Sequence, residues 1–386
     1  MPNDTSYDVI IAGLGSMGTA AAYHLAKRGQ RVLGLNPHEI PHNLGSHHGR
    51  SRMIRQSYYE HPDYVPLLQR AYELWTDLQN QSESPFFHLT GAVYFGSPNG
   101  SIVPGAREAA AQHKLPHEFF QDPNEIRSRF PAFRIPPNYA AFYEEQAGYL
   151  IPEEAVRTHA NLARTLGAHL HTGEPVTAWR ATDDGVEITT PRDTYHARHL
   201  IITAGAWISD FLRDVDIDFQ VTRQVLAWFV PKTDPQTYAL GNFPCWFIES
   251  ESPFGHYGFP IAPGHNGLKL ALHKPGPPIT PAELHHPQHL PTDEETEALR
   301  GFLHDFIPGS DGTLLESTVC LYTNSPDGHF LLGPHPAHQD NVTIACGFSG
   351  HGFKFASVIG EITADLATTG ATSFPIEFLS PKRFLS

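Results

Sequence analysis

The chain has 386 residues, room for two domains or one large one at roughly 150 residues each. Apolar residues make up 40% and charged residues 17%, a globular balance that excludes a disordered chain. With 41 acidic against 26 basic residues the formal charge is −15, which argues against nucleic acid or an anionic membrane as partner, since both need a basic surface. The three cysteines, Cys245, Cys320 and Cys346, are too few for a disulfide framework and show no zinc spacing, so no metal is expected. No run of about 18 apolar residues suggests a membrane span. The opening MPNDTSYDVIIAG has no basic segment or cleavage site and reads as a strand, and PKRFLS is not a clear peroxisomal signal. A cytoplasmic location is the default expectation.

Residues 7–12 (YDVIIA) suit a buried parallel strand, residues 19–28 an amphipathic helix ending at Gly29, and residues 31–35 a second strand. Gly13, Gly15 and Gly18 between the first strand and the helix form GxGxxG, the dinucleotide-binding fingerprint. The helix start then offers free N–H groups to a pyrophosphate. The second strand ends on Asn36, where a carboxylate usually meets the ribose; Glu39 is a weak substitute behind Pro37. Further along, residues 64–79 read as a helix, 91–96 as a strand and 152–166 as a helix. Strands are expected at 175–180, 185–190 and 199–203, with a hairpin turn at Asp183-Asp184-Gly185. Residues 221–230 and 255–274 are β-rich, 276–289 an exposed loop, 292–306 a helix, 342–346 a strand and 353–366 a helix. The nucleotide-binding pieces thus lie at the start, middle and end of the chain. The expected division is 1–80, 150–215 and 321–386 for the cofactor domain, and 81–149 and 216–320 for a catalytic domain.

Four further motifs sharpen this: GSHHGRSRMIR at 45–55, YGFP…GLKLALH at 257–273, CLYTNSPDGHF at 320–330 and GFSGHGFKFASVIGE at 347–361. In this order, with the phosphate loop, they resemble the monomeric sarcosine oxidase and N-methyltryptophan oxidase family across essentially the whole chain. The resemblance implies an α/β (α+β) fold, a doubly wound FAD-binding Rossmann-like domain plus a catalytic domain on a mixed, mainly antiparallel sheet. It implies a monomeric oxidase of secondary, chiefly N-methyl, amino acids that passes electrons to O2. Cys320 would hold FAD by a thioether to its 8α-methyl; on the residue alone a buried free cysteine is the commoner fate.

By the same resemblance Arg52 anchors the substrate carboxylate, Lys354 completes the clamp, and Arg55 touches the flavin or organises the site. Lys269, in the apolar alternation GLKLAL, would lie over the flavin and stabilise negative charge as oxygen is reduced. His273, Tyr257 and Tyr322 would contact the substrate. Ser16, Met17, Ser46, His47 and His48 would contact the cofactor, as would Val176, Ala204, Gly205 and Trp207. Gly350, Gly352, Phe353 and Lys354 would meet its N1/O2 edge. Arg50 and Ser51 depart from the family pattern, where acidic and threonine residues are usual; Arg50 either tunes the flavin or faces solvent. Trp228, Phe229 and the 324–327 run lean toward the N-methyltryptophan branch. A cyclic imino acid oxidase, a flavin dehydrogenase with another acceptor, and a non-catalytic or tRNA-modifying relative are the alternatives.

Overall fold

The computed structural model describes residues 5–284 and 286–384, so the last two residues of the PKRFLS tail lie outside the described residues. Two eight-stranded sheets dominate. The first runs Ala178–Thr182, Gly185–Thr189, Thr194–Ile202, Ser6–Ala12, Val32–Leu35 and His169–His171, with Val342–Cys346 also on Thr194–Ile202 and Leu331–Pro334 beyond it. Its centre is parallel. Val9 and Ile11 point to one face, where they share a buried cluster with Ala21, Ala22, Ala163 and Ala364 of the helices Ser16–Lys27, Pro152–Thr165 and Ala356–Thr369. Ile10, Ala12 and Leu33 point the other way, against Ile208 and Leu212. Burial on both faces is why these strands read as unbroken apolar runs.

The second sheet runs Leu314–Asn324, Gln220–Phe229, Leu268–His273, Phe254–Phe259, Cys245–Glu251, Ala92–Gly96, Ala140–Glu144 and Glu118–Phe120. Only the Cys245–Glu251 and Ala92–Gly96 pair is parallel, so this sheet is mixed and mainly antiparallel, as expected. A small third sheet joins Arg52–Ile54, Gly148–Leu150 and Phe87–Leu89. Among the described residues no helix is long and apolar enough to cross a membrane.

The differences from the sequence expectations have local causes. The strand expected at 199–203 begins at Thr194, because its first half is an antiparallel edge that alternates buried and exposed side chains. The strand expected at 175–180 begins at Ala178, beyond Pro175, which has no N–H for a ladder. Residues 276–289 are not simply an exposed loop: Ile279 and Leu284 are buried beside Val319 and Leu321. The hairpin at Asp183-Asp184-Gly185 forms as expected.

Candidate active site

A cavity of about 490 Å³ is walled by both large sheets. At one end lies the loop after the first strand. Gly13 has φ +99°, and a Cβ there would sit 2.6 Å from the Thr203 carbonyl oxygen; a Cβ on Gly18 would sit 1.9 Å from the Gly13 oxygen. The sequence therefore needs glycine at both places to bring strand and helix together. The helix Ser16–Lys27 begins at Gly15 with no side-chain cap, so its first N–H groups are left for a ligand.

Gly13, Gly15, Ser16, Met17, Asn36, Ser46, His47, Val176, Ala204, Gly205 and Trp207 all line this end. Gly18 and His48 do not. Asn36 is more constrained than expected. Its Oδ1 accepts the Leu14 N–H at 3.0 Å and its Nδ2 donates to the His38 carbonyl at 2.7 Å, so it braces the loop from both sides. A carboxylate could accept from Leu14 but not donate to His38. Glu39 instead accepts from Thr172 at the surface. His47 is buried with an unpartnered Nε2, and burial holds its pKa down to about 3.

At the other end Arg52, Arg55, Tyr257, His273, Cys320, Tyr322, Gly350, Gly352, Phe353 and Lys354 come together. Arg52 donates to the Ser46 and Ser51 carbonyls and, at 3.2 Å, to Cys320 Sγ. A cation bonded to a cysteine sulfur is the usual setting of a reactive thiol. Cys245 Sγ accepts from the neutral Thr90 hydroxyl instead, and burial pushes its thiol up to about 12. Arg55 sits between the Tyr58 and Tyr59 rings, each 4.2 Å away, and donates to both Glu60 oxygens at 2.7 and 2.6 Å. Burial alone would raise the Glu60 carboxyl, but Arg55 overrides it and holds it down to about 2.

Lys354 donates to the His351 carbonyl at 2.8 Å. Burial first, then the Arg55 charge, bring its pKa down to about 7. The guanidinium whose charge acts on Lys354 is Arg55. His273 Nδ1 lies 3.0 Å from the Tyr322 hydroxyl, and burial holds the ring down to about 4.

Lys269 is buried on the strand Leu268–His273 between Phe259 and Trp228, 5.0 and 5.4 Å from their ring centres. It stands behind the cavity wall rather than in it. Its Nζ donates to the Gly49 carbonyl at 2.6 Å, the Ser51 carbonyl at 2.9 Å and Ser51 Oγ at 3.2 Å. Arg50 pairs with Glu316 at 3.0 Å on the exposed side. Trp228 and Phe229 are both buried and do not line the cavity, nor do residues 324–327. The features that leaned toward the N-methyltryptophan branch therefore form no part of this chamber. Sequence reasoning did not single out Tyr59, Glu60 or His351, which line it.

Among the described residues one group of potential metal ligands gathers, Asp214, His335 and His338. The Ala337 N–H donates to His335 Nδ1 at 3.2 Å, leaving the ring proton on Nε2, 3.4 Å from Asp214. A ligating Nε2 needs the opposite tautomer, so the geometry is that of a protonated nitrogen facing a carboxylate and not of a metal ligand.

Residues 8–366 match the family model for FAD dependent oxidoreductases, DAO. The chain belongs to this family. Within it, monomeric sarcosine oxidase of Streptomyces avermitilis is 44% identical over 379 residues, covering 98% of each chain. N-methyl-L-tryptophan oxidase of Escherichia coli O157:H7 is 38% identical over 379 residues, 98% of this chain and 99% of the relative. These relatives place the chain in the sarcosine oxidase and N-methyltryptophan oxidase group. Among solved structures, NikD, an unusual amino acid oxidase essential for nikkomycin biosynthesis, superposes with a TM-score of 0.83 at 26% identity over 97% of both chains.

FAD, the family's cofactor, fits what the residues offer. The glycine loop brings backbone and an uncapped helix start to a pyrophosphate, and the unpartnered His47 Nε2 is a buried polar atom for a ligand to satisfy. The chamber runs on from there to Arg52 and Cys320, as a two-part cofactor requires.

Proposed function

We propose that the protein is an oxidase of N-methyl amino acids, of the sarcosine or N-methyltryptophan class, acting as a cytoplasmic monomer. The observation that carries this is one chamber joining a dinucleotide loop to buried cations in two pairs: Arg55 with Lys354, both in its lining, and Arg52 in its lining with Lys269 behind the wall. Bound FAD supplies a two-electron acceptor for the hydride beside the amine nitrogen and hands the electrons to O2, giving hydrogen peroxide. The imine that leaves hydrolyses in water to formaldehyde and the primary amino acid.

Each pair has its own task. Glu60 on Arg55 is itself a carboxylate, both of its oxygens held by Arg55 Nη2, and it marks where an anion binds. A substrate carboxylate takes the place of Glu60 on Arg55, and protonated Lys354 completes the clamp. Arg52, with its donors tied to Ser46, Ser51 and Cys320, serves the cofactor side. Neutral His273 and Tyr322 with Tyr257 frame the amine end. Surrounding cations disfavour an ammonium, so the amine binds without its extra proton, the form able to release hydride. Lys269, its Nζ held by Gly49 and Ser51 beneath the wall, supplies a positive charge when protonated where oxygen acquires electrons. Cys320 would hold the flavin by a thioether, with its S–H and one methyl C–H broken and the two electrons released passing to the flavin and then to O2, and the Arg52 hydrogen bond would support the sulfur as nucleophile.

A substrate panel with peroxide and formaldehyde readouts tests the reaction. Sarcosine or N-methyltryptophan should yield both products in equal amounts. Turnover of proline or pipecolate alone, without formaldehyde, overturns the N-methyl assignment. For the thioether, acid-precipitated wild type should stay yellow with a mass one FAD above the sequence, and Cys320→Ser should release the colour. A colourless wild-type pellet overturns the covalent link.

A further inference from the structure

Lys269 reaches the chamber through a loop, and one carboxylate holds that loop. Glu153 lies in the first turn of the helix Pro152–Thr165, outside the motifs that carry the family resemblance. Its Oε1 accepts the Gly49 N–H at 2.8 Å and the Arg50 N–H at 3.1 Å. Gly49 and Arg50 have φ of +94° and +65°, a left-handed turn that an arginine adopts only under constraint. A Cβ on Gly49 would come within 2.8 Å of Leu226 and 3.5 Å of Lys269 Nζ, so the backbone passes here only as glycine. With the turn fixed, the Gly49 and Ser51 carbonyls and Ser51 Oγ take up the three N–H donors of Lys269, and the Ser51 carbonyl also receives Arg52.

The charges around Lys269 explain why a carboxylate is needed. Burial first, then Arg52, push its ammonium toward the neutral form, and Arg50 adds to this. Cys320 and Cys245 are the nearby thiols, each two strands away in the same sheet. Glu153 opposes the loss of charge, and its field also acts on Arg52. Its second oxygen, Oε2, is buried without a hydrogen-bond partner, so the negative charge is not spent on another donor.

We propose that Glu153 is a positioning residue for the oxygen step: it clamps the 49–51 turn that holds Lys269 Nζ and supplies the counter-charge to the Arg52–Lys269 pair. This rests on the assignment of Lys269 to oxygen reduction. Glu153→Gln keeps an acceptor for the two N–H groups and removes only the charge; Glu153→Ala removes both; Glu153→Asp restores charge on a shorter arm.

The test uses the holoenzyme labelled with [ε-¹³C]lysine, the Lys269 resonance being assigned by its loss in Lys269→Met. In Glu153→Gln, Lys269 should lose its proton about one pH unit lower than in wild type, the size expected for a removed neighbouring charge. In stopped flow, its reoxidation by O2 should fall about tenfold above that pH, with anaerobic reduction by substrate within about twofold of wild type. Glu153→Asp should recover most of both, and Glu153→Ala should be slow at every pH. Far-UV circular dichroism and melting confirm that a variant is folded; if Glu153→Ala does not fold, the glutamine and aspartate variants decide. Unchanged titration and reoxidation in Glu153→Gln overturns the charge role. If Lys269→Met reoxidises at the wild-type rate, the oxygen role of Lys269 fails instead, while the Lys269 titration in Glu153→Gln still reports on the clamp.

Discussion

Lys354 is the one group of the proposed carboxylate clamp whose charge changes in the working pH range. Burial and Arg55 lower its pKa from 10.5 to about 7, whereas burial keeps His273 near 4 and His351 near 3, and Arg55 holds Glu60 near 2. Below about pH 7 the ammonium is present and binds an anion; above it the amine is neutral. A carboxylate ligand without an amine should therefore bind about tenfold more weakly per pH unit above 7, read from the flavin spectrum. Lys354→Met should flatten that dependence and bind at pH 6.5 no better than wild type does at pH 9. Stability moves the other way. The unfolded chain binds the lysine proton up to 10.5 and the folded one only to about 7, so this group's contribution rises with pH across that interval and is lost below it. Arg55→Lys keeps a charge but loses the second nitrogen, so it cannot hold both the Ser57 carbonyl and a carboxylate as Nη1 and Nη2 do. Losing one charged hydrogen bond, about 1.5–3 kcal/mol, should raise KM about 10–100-fold. Arg52→Lys should raise KM far less; the reverse order would return the anchor to Arg52.

At the scale of elements, the loop and helix that follow the first strand are set by contact distances. A Cβ on Gly18 would meet the Gly13 oxygen at 1.9 Å, a rigid backbone atom, and one on Gly360 would meet Ala20 at 2.5 Å where two helices cross. Gly18→Ala should destabilise the protein by about 1–3 kcal/mol and yield protein depleted in flavin, measured by denaturation and by the 450 nm band. Wild-type flavin content in that variant would show the loop can relax. These elements were legible in the sequence because their rules are local: the glycine spacing and the apolar runs. The parts that stayed hidden depend on long-range pairing. Glu153 meets Gly49 across 104 positions, and nothing near either residue announces the other. Glu60 meets Arg55 five residues away, but only the fold shows that the pair lines a cavity. The motif order located the chamber, but two arginines three residues apart look alike in sequence, and only the fold shows that Arg52 meets Ser46, Ser51 and Cys320 while Arg55 meets Ser57 and Glu60.

Across the whole molecule, the cofactor chamber is a joint. The phosphate loop belongs to the first sheet, whereas Cys320 belongs to the strand Leu314–Asn324, which pairs along the second sheet with Gln220–Phe229. Ser46 Oγ donates to the Leu321 carbonyl at 2.7 Å, so the two sides touch directly beside the proposed attachment point. A bound FAD fills the space between the sheets and stabilises only the folded arrangement. With the thioether intact the ligand cannot leave, and the melting temperature should not depend on free FAD. In Cys320→Ser the same contacts form reversibly, and stabilisation follows the ratio of free FAD to Kd, about 2.7 kcal/mol at a hundredfold excess over Kd. Melting that variant across a series of FAD concentrations should give a rising curve, while wild type stays flat at a value near its upper limit. If wild type rises in parallel with Cys320→Ser, FAD exchanges freely and no bond joins the sheets. If neither responds, the joint is held by protein contacts such as Ser46 with Leu321, and the cofactor adds nothing to their union.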